Sequence, residues 1–235
     1  MTIDIDRRTL VTGAATLVVG AVAMNATSSL AQTAASPAAA SYQPKPLGLD
    51  PKSIKGFSEN IITSHYENNY KGAVNRIGSI NAELGKLDLA TAPGFVVNGL
   101  KREQLTAINS MILHEVYFAS LGAGGEPKGE IATALTRDFG SVAAWRSEFV
   151  AAGKALGGGS GWVLLTYSPR LGRLVNQWAA DHTMTIANGY PMLALDMYEH
   201  AYHMDYGAKA AAYVDAFMGA INWASVDKMY AQRRT

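Results

Sequence analysis

Cysteine is absent from the 235 residues, and that absence excludes disulfides, thiolate metal sites, haem attachment and cysteine nucleophiles together. Any metal the chain binds must therefore be held by imidazole nitrogen and carboxylate oxygen. Such donors suit iron, manganese or zinc better than copper(I) or a cluster. An excess of one charge is missing too: 20 Lys and Arg face 19 Asp and Glu, a net +1, so nothing argues for a nucleic-acid partner. Histidine is scarce. The five are His65, His114, His182, His200 and His203, few enough to be weighed one by one.

The longest apolar run lies near the N-terminus. Arg7-Arg8 precedes an Ala/Val/Gly-rich stretch over residues 10–26, too short and too rich in small residues for a spanning helix. Ser29-Leu30-Ala31 puts small residues where a signal peptidase reads them, and predicts cleavage near Ala31–Gln32. The arginine pair marks residues 1–31 as a twin-arginine export signal. The expected location is the periplasm or another exported compartment, with no membrane association after cleavage. Residues 32–46, rich in Ala, Ser and Pro, read as a flexible linker.

The mature chain divides by pattern into residues 47–122 and 123–235. In the first part, Ile62, Ala73, Ile77, Ile80, Leu84 and Leu87 fall on one helical stripe over residues 58–87, with His65 and Asn69 on or beside it. Residues 88–98, with Pro93 and Gly94, read as a loop. A second helix is expected over residues 101–121. Leu105, Ile108, Ile112 and Val116 make one face, and Met111, His114, Phe118 and Leu121 much of the other, which predicts burial on both sides. The second part begins with helical patterns over residues 130–138 and 142–156. Alternating strands come next at 161–167 and 173–179, joined by a turn at 168–172. A short third strand covers 193–196, and a helix covers 208–222. The fold class expected is α+β: an antiparallel helical hairpin followed by an α/β unit with a small three-stranded antiparallel sheet.

Asp196-Met-Tyr-Glu199-His200 sets a carboxylate and an imidazole four residues apart at a strand-to-helix junction. With the two inward histidines of the hairpin, the chain offers neutral nitrogen donors and one anionic oxygen, a set suited to a redox metal. A zinc hydrolase built on His114-Glu115 would need a second histidine four residues on, where Phe118 stands. Paired Glu-x-x-His motifs for a di-iron bundle are absent.

Asp196-Met-Tyr-Glu-His-Ala-Tyr202, followed by Asp205-Tyr206 and by Tyr213-Val-Asp-Ala-Phe with Ile221-Asn-Trp223, resembles the C-terminal signature of the iron/manganese superoxide dismutases. Ser64-His65 with Val74-Asn75, His114-Glu-Val-Tyr-Phe118, and Asp138-Phe-Gly-Ser with Gly159-Ser-Gly-Trp162 are similar in order and spacing. The resemblance implies one iron or manganese ion per subunit, held by His65, His114, Asp196 and His200. It implies that superoxide is converted to oxygen and hydrogen peroxide as the ion cycles between trivalent and divalent states. Trp162 and Phe118 would wall the site, and His182 would hydrogen-bond solvent at the metal. The family's gateway histidine and tyrosine are replaced here by Asn69 and Ala73. Tyr202 would be the gateway partner from across a homodimer, with Glu199 and His200 also at that interface; a tetramer is the other assembly expected. His203 is read as structural. A non-catalytic member of the same fold is the second reading.

Overall fold

Helix α1, Glu59–Ser64, starts where Ser58 can cap it. The Ser58 hydroxyl accepts the Ile61 N–H at 3.2 Å, and both its own O–H and its backbone N–H donate to Asp205, 147 residues away. In the computed structural model, residues 42–233 are described. The expected export signal lies outside the described residues, as does the linker up to residue 41. The described end of that linker is tied down. The Lys45 N–H donates to the Tyr70 hydroxyl at 2.7 Å, the Tyr66 O–H donates to the Lys45 carbonyl at 2.7 Å, and the Lys45 ammonium pairs with Glu115.

The long helix expected over residues 58–87 is interrupted. After α1 the chain widens into a π turn, His65–Tyr70, before resuming as α2, Lys71–Gly85. Helix α3, Gly94–Ser120, starts seven residues before the expected 101. Pro93 precedes it with φ −58°, a torsion already suited to a helix start. The first turns show no apolar stripe because Phe95 is 80% exposed. Burial of α3 on both sides is also corrected. Ala107, Ser110, Leu113, His114, Tyr117 and Phe118 are buried, whereas Leu105 and Ile112 are largely exposed.

Helices α4, Gly129–Phe139, and α5, Val142–Ala155, lead to strands β1, Trp162–Ser168, β2, Arg173–Ala179, and β3, Tyr190–Asp196. The sheet is antiparallel in the order β2-β1-β3. Trp162 pairs with Ala179 on one side and Asp196 on the other, which brings an aromatic wall and a carboxylate together. Gly161 makes that start possible. Its φ is +135°, and a Cβ there would lie 2.2 Å from the Ala179 carbonyl oxygen. Pro191 is tolerated because β3 is an edge strand. The chain closes with α6, His203–Tyr206, α7, Ala210–Gly219, and α8, Trp223–Arg233; α8 has no counterpart in the sequence pattern.

One large core runs from Ile61 and Ile62 through Leu113 and Tyr117 to the sheet and α7. Helix α3 packs on both α2 and β3, and this contact carries the hairpin's histidines to the end of the sheet. The α+β class stands as expected. Among the described residues no helix is long and apolar enough to cross a membrane.

Candidate metal centre

Four donor atoms, one each from His65, His114, Asp196 and His200, lie within 4.8 Å of one another. Each comes from a different kind of position. His65 opens the π turn, His114 sits mid-α3, Asp196 ends β3, and His200 lies in the single helical turn after it. Nε2 of His65, His200 and His114 stand 3.1, 3.2 and 3.6 Å from Asp196 Oδ2. Asp196 Oδ1 accepts the Tyr198 N–H at 2.8 Å, so Oδ2 alone is turned to the histidines. His65, His114 and Asp196 are at most 1% exposed; the His200 side chain is 28% exposed.

His114 decides what the cluster is for. Its Nδ1–H donates to the Ser110 carbonyl at 2.6 Å, so the neutral ring presents a bare lone pair at Nε2. That atom is buried, has no hydrogen-bond partner among the described residues, and faces a carboxylate oxygen. Two acceptors opposed in a dry site repel unless a cation sits between them. Burial first, and His65 next, push the His114 pKa down to about 3. Burial likewise lowers that of His65 against the pull of Asp196. Burial would raise the Asp196 carboxyl, but hydrogen bonds from His200 and His65 outweigh it and hold it well below the usual carboxylate range. Neutral imidazoles and one ionised carboxylate are the protonation states that metal binding demands. The residues present therefore fit an iron or manganese ion.

Aromatic rings hold this set in place. Trp162 meets His114 edge-on with 5.3 Å between centroids. Phe118 meets His65 at 5.2 Å and Tyr117 meets it at 4.7 Å. His65 Nδ1 has no hydrogen-bond partner among the described residues, so packing and the Nε2 contact with Asp196 orient that ring. Trp162 Nε1–H donates to His182 Nδ1 at 2.8 Å, which leaves the proton of neutral His182 on Nε2. Burial lowers the pKa of His182 as well. His182 also stacks on Tyr198, at 4.8 Å and 12°.

A cavity of about 330 Å³ opens onto His114, His182 and His200, lined also by Asn69, Ala73, Arg76, Thr106 and Ser110. Asn69 and Ala73 thus stand at its wall, and among the described residues no tyrosine does. Tyr202 is 2% exposed and stacks on Tyr213 at 5.2 Å, away from the cavity lining. His203 and Glu199 are exposed. Sequence reading missed Ser110. Its signal was its place four residues before a helical histidine, where Nδ1 can reach the carbonyl of the preceding turn.

Comparison with known proteins gives the same answer. Residues 127–229 match the model of the C-terminal domain of iron/manganese superoxide dismutases. An iron superoxide dismutase of Cupriavidus metallidurans is 69% identical over 182 residues, covering 77% of this chain and 92% of the relative. One of Aquifex pyrophilus, also named for iron, is 33% identical over 190 residues, covering 77% and 88%. Superoxide dismutase 1 of Halobacterium salinarum, named for manganese, is 32% identical over 195 residues, covering 81% and 96%. With the donor set, its aromatic wall and these relatives in agreement, the chain belongs to the iron/manganese superoxide dismutase family.

Proposed function

We propose that the protein is a superoxide dismutase whose single iron or manganese ion is held by His65, His114, Asp196 and His200. The observation that carries this reading is the partnerless lone pair of His114 Nε2, aimed at a carboxylate oxygen inside a buried cluster. Iron is the metal named for the 69% identical relative. When bound, the ion supplies a one-electron couple that accepts an electron from one superoxide and returns it to a second.

The chain's own residues do the rest. Asp196 supplies the only negative charge among the four donors. Trp162 and Phe118 exclude water and keep the rings from turning. His182, fixed by Trp162, offers its Nε2–H to an oxygen in the cavity and so biases the protonation of whatever occupies it. Peroxide leaves carrying two protons. Without a phenol at residue 73, those protons reach the cavity through solvent alongside Ser110, Thr106 and His182. Arg76 is the cation at the cavity wall, and it is ion-paired with Glu103.

The half-open His200 and exposed Glu199 support a homodimer that covers this ligand. Tyr202 is buried against Tyr213 within the protomer. Arg7-Arg8 and the apolar run behind it support twin-arginine export to the periplasm. The decisive experiment combines elemental analysis of the purified protein with superoxide consumption after loading with iron or manganese. Stoichiometric metal with no superoxide consumption in either form would reject the reading. Replacing Arg7 and Arg8 with lysine should leave folded, metallated protein in the cytoplasm, and unchanged export would reject that route.

A further inference from the structure

The proposed centre uses the Nε2 edge of His65; beside that ring, 4.7 Å between centroids, lies the phenol of Tyr117. Tyr117 is fully buried, and its hydroxyl makes no well-formed hydrogen bond among the described residues. Its polar neighbour is the Tyr213 hydroxyl, which donates to the backbone carbonyl of the ligand Asp196 at 2.7 Å. The Tyr117 hydroxyl abuts that of Tyr213. The Tyr213 ring in turn stands 6.1 Å from that of Tyr206. Tyr206 is half-buried and donates its O–H to the Gly56 carbonyl. Phenols therefore follow one another from a ligand histidine toward the surface, ring beside ring at His65–Tyr117 and at Tyr213–Tyr206, and hydroxyl beside hydroxyl between Tyr117 and Tyr213. On another side of His65 the line is broken. Phe118 stands between that ligand and the rings of Tyr66 and Tyr70.

We infer that Tyr117, Tyr213 and Tyr206 form a relay that moves an oxidising equivalent from the metal centre to the protein surface, sparing the ligand histidines. The inference rests on the dismutase reading, whose product, hydrogen peroxide, is the oxidant. Reducing peroxide to two molecules of water takes two electrons and two protons. The divalent ion gives one electron and becomes trivalent. Tyr117 gives the other and is refilled by Tyr213, which is refilled by Tyr206. Tyr206 ends as a phenoxyl radical and releases its proton to solvent. The net uptake is one proton.

The test uses the full chain, loaded with iron, reduced without oxygen and then given peroxide beside a nitroso spin trap, with adducts mapped by peptide mass spectrometry. Iron content and dismutase activity of the same preparation are measured first. No activity in the iron-loaded wild type would overturn the functional reading and the relay with it. With activity present, the adduct should form at Tyr206, and in Tyr117→Phe it should fall to the level of zinc-loaded protein. Tyr206→Phe, a change near the surface, should lose the adduct and shed iron faster under peroxide. An equal adduct at Tyr206 in Tyr117→Phe or in zinc-loaded protein would overturn the relay alone. So would adducts confined to Trp162 or Tyr198, or a Tyr206→Phe protein that keeps its iron as well as wild type.

Discussion

Acidifying the metal-free protein should destabilise it through the two buried histidines of the hairpin, and the size of the effect can be worked from the site. His114 is pushed from 6.5 down to about 3 in the folded state, by burial and then by His65. Between those values the unfolded chain holds a proton that the folded protein does not. The stability from this group is fully present above pH 6.5 and is lost as pH falls toward about 3. The slope is about 1.4 kcal/mol per pH unit for one group. Across the whole window it amounts to about 5 kcal/mol, comparable with the entire stability of many domains. Burial shifts His65 and His182 the same way, so each steepens the slope while pH lies between its two values. Asp196 acts in the same direction but only below the ordinary carboxylate range, which leaves pH 5 to 7 to the histidines. The assay is the urea midpoint of chelated protein at pH 7, 6 and 5, compared with His114→Gln. The variant carries no titrating group there, so its slope should be shallower by about 1.4 kcal/mol per unit. Equal slopes would refute the claim that His114 is held neutral by burial. Because the folded rings are already neutral, metal uptake by the folded apoprotein should release no proton from His65 or His114.

Three further outcomes rest on the same geometry. Asp196→Asn keeps the shape of the side chain but removes the only carboxylate among the donors; the protein should fold and elute without metal, and stoichiometric metal in the variant would show the donor set to be wrong. Trp162→Phe removes the donor that fixes His182 Nδ1; metal content should hold while turnover falls about 10–100-fold, and unchanged turnover would separate His182 from the chemistry. Gly161→Ala forces a Cβ to within 2.2 Å of the Ala179 carbonyl at a φ of +135°; a loss of about 3 kcal/mol or more in chemical denaturation is expected, and a midpoint within error of wild type would mean that β1 and β2 can part there.

How much of this was legible in the sequence depends on how local the signal was. The first two strands were readable because alternation and the turn at residues 168–172 are local, and β2 has the bounds the pattern implied; β3 begins at Tyr190, three residues before the expected 193. The first turns of α3 were hidden. Phe95 faces solvent, so the segment carries no amphipathic period, and Pro93 with Gly94 reads as loop. Helix α8 lies beyond the short α7 and was never suggested by a period of its own. The four donors were legible for a different reason. With no cysteine and five histidines, residue chemistry had already narrowed the choice, and the family signature then ordered it.

The cavity wall was harder to read, and the π turn explains why. A helical wheel advances each residue by a fixed angle, so it assigns Asn69 and Ala73 by counting from His65. Inserting the turn His65–Tyr70 between α1 and α2 adds backbone without adding a repeat, and rotates the faces of α2 relative to those of α1. Counting still puts Asn69 and Ala73 near the site, and both line the cavity. It gives no hint that Tyr70 turns elsewhere, its hydroxyl donating to Glu115 at 3.0 Å. Nor could it show that the cavity's other polar wall comes from Thr106 and Ser110, on a helix whose register against the first is set by packing. Residue identity therefore carries the metal, because donors are chosen by chemistry. The route to the metal depends on the phase between two helices, which only their packing fixes.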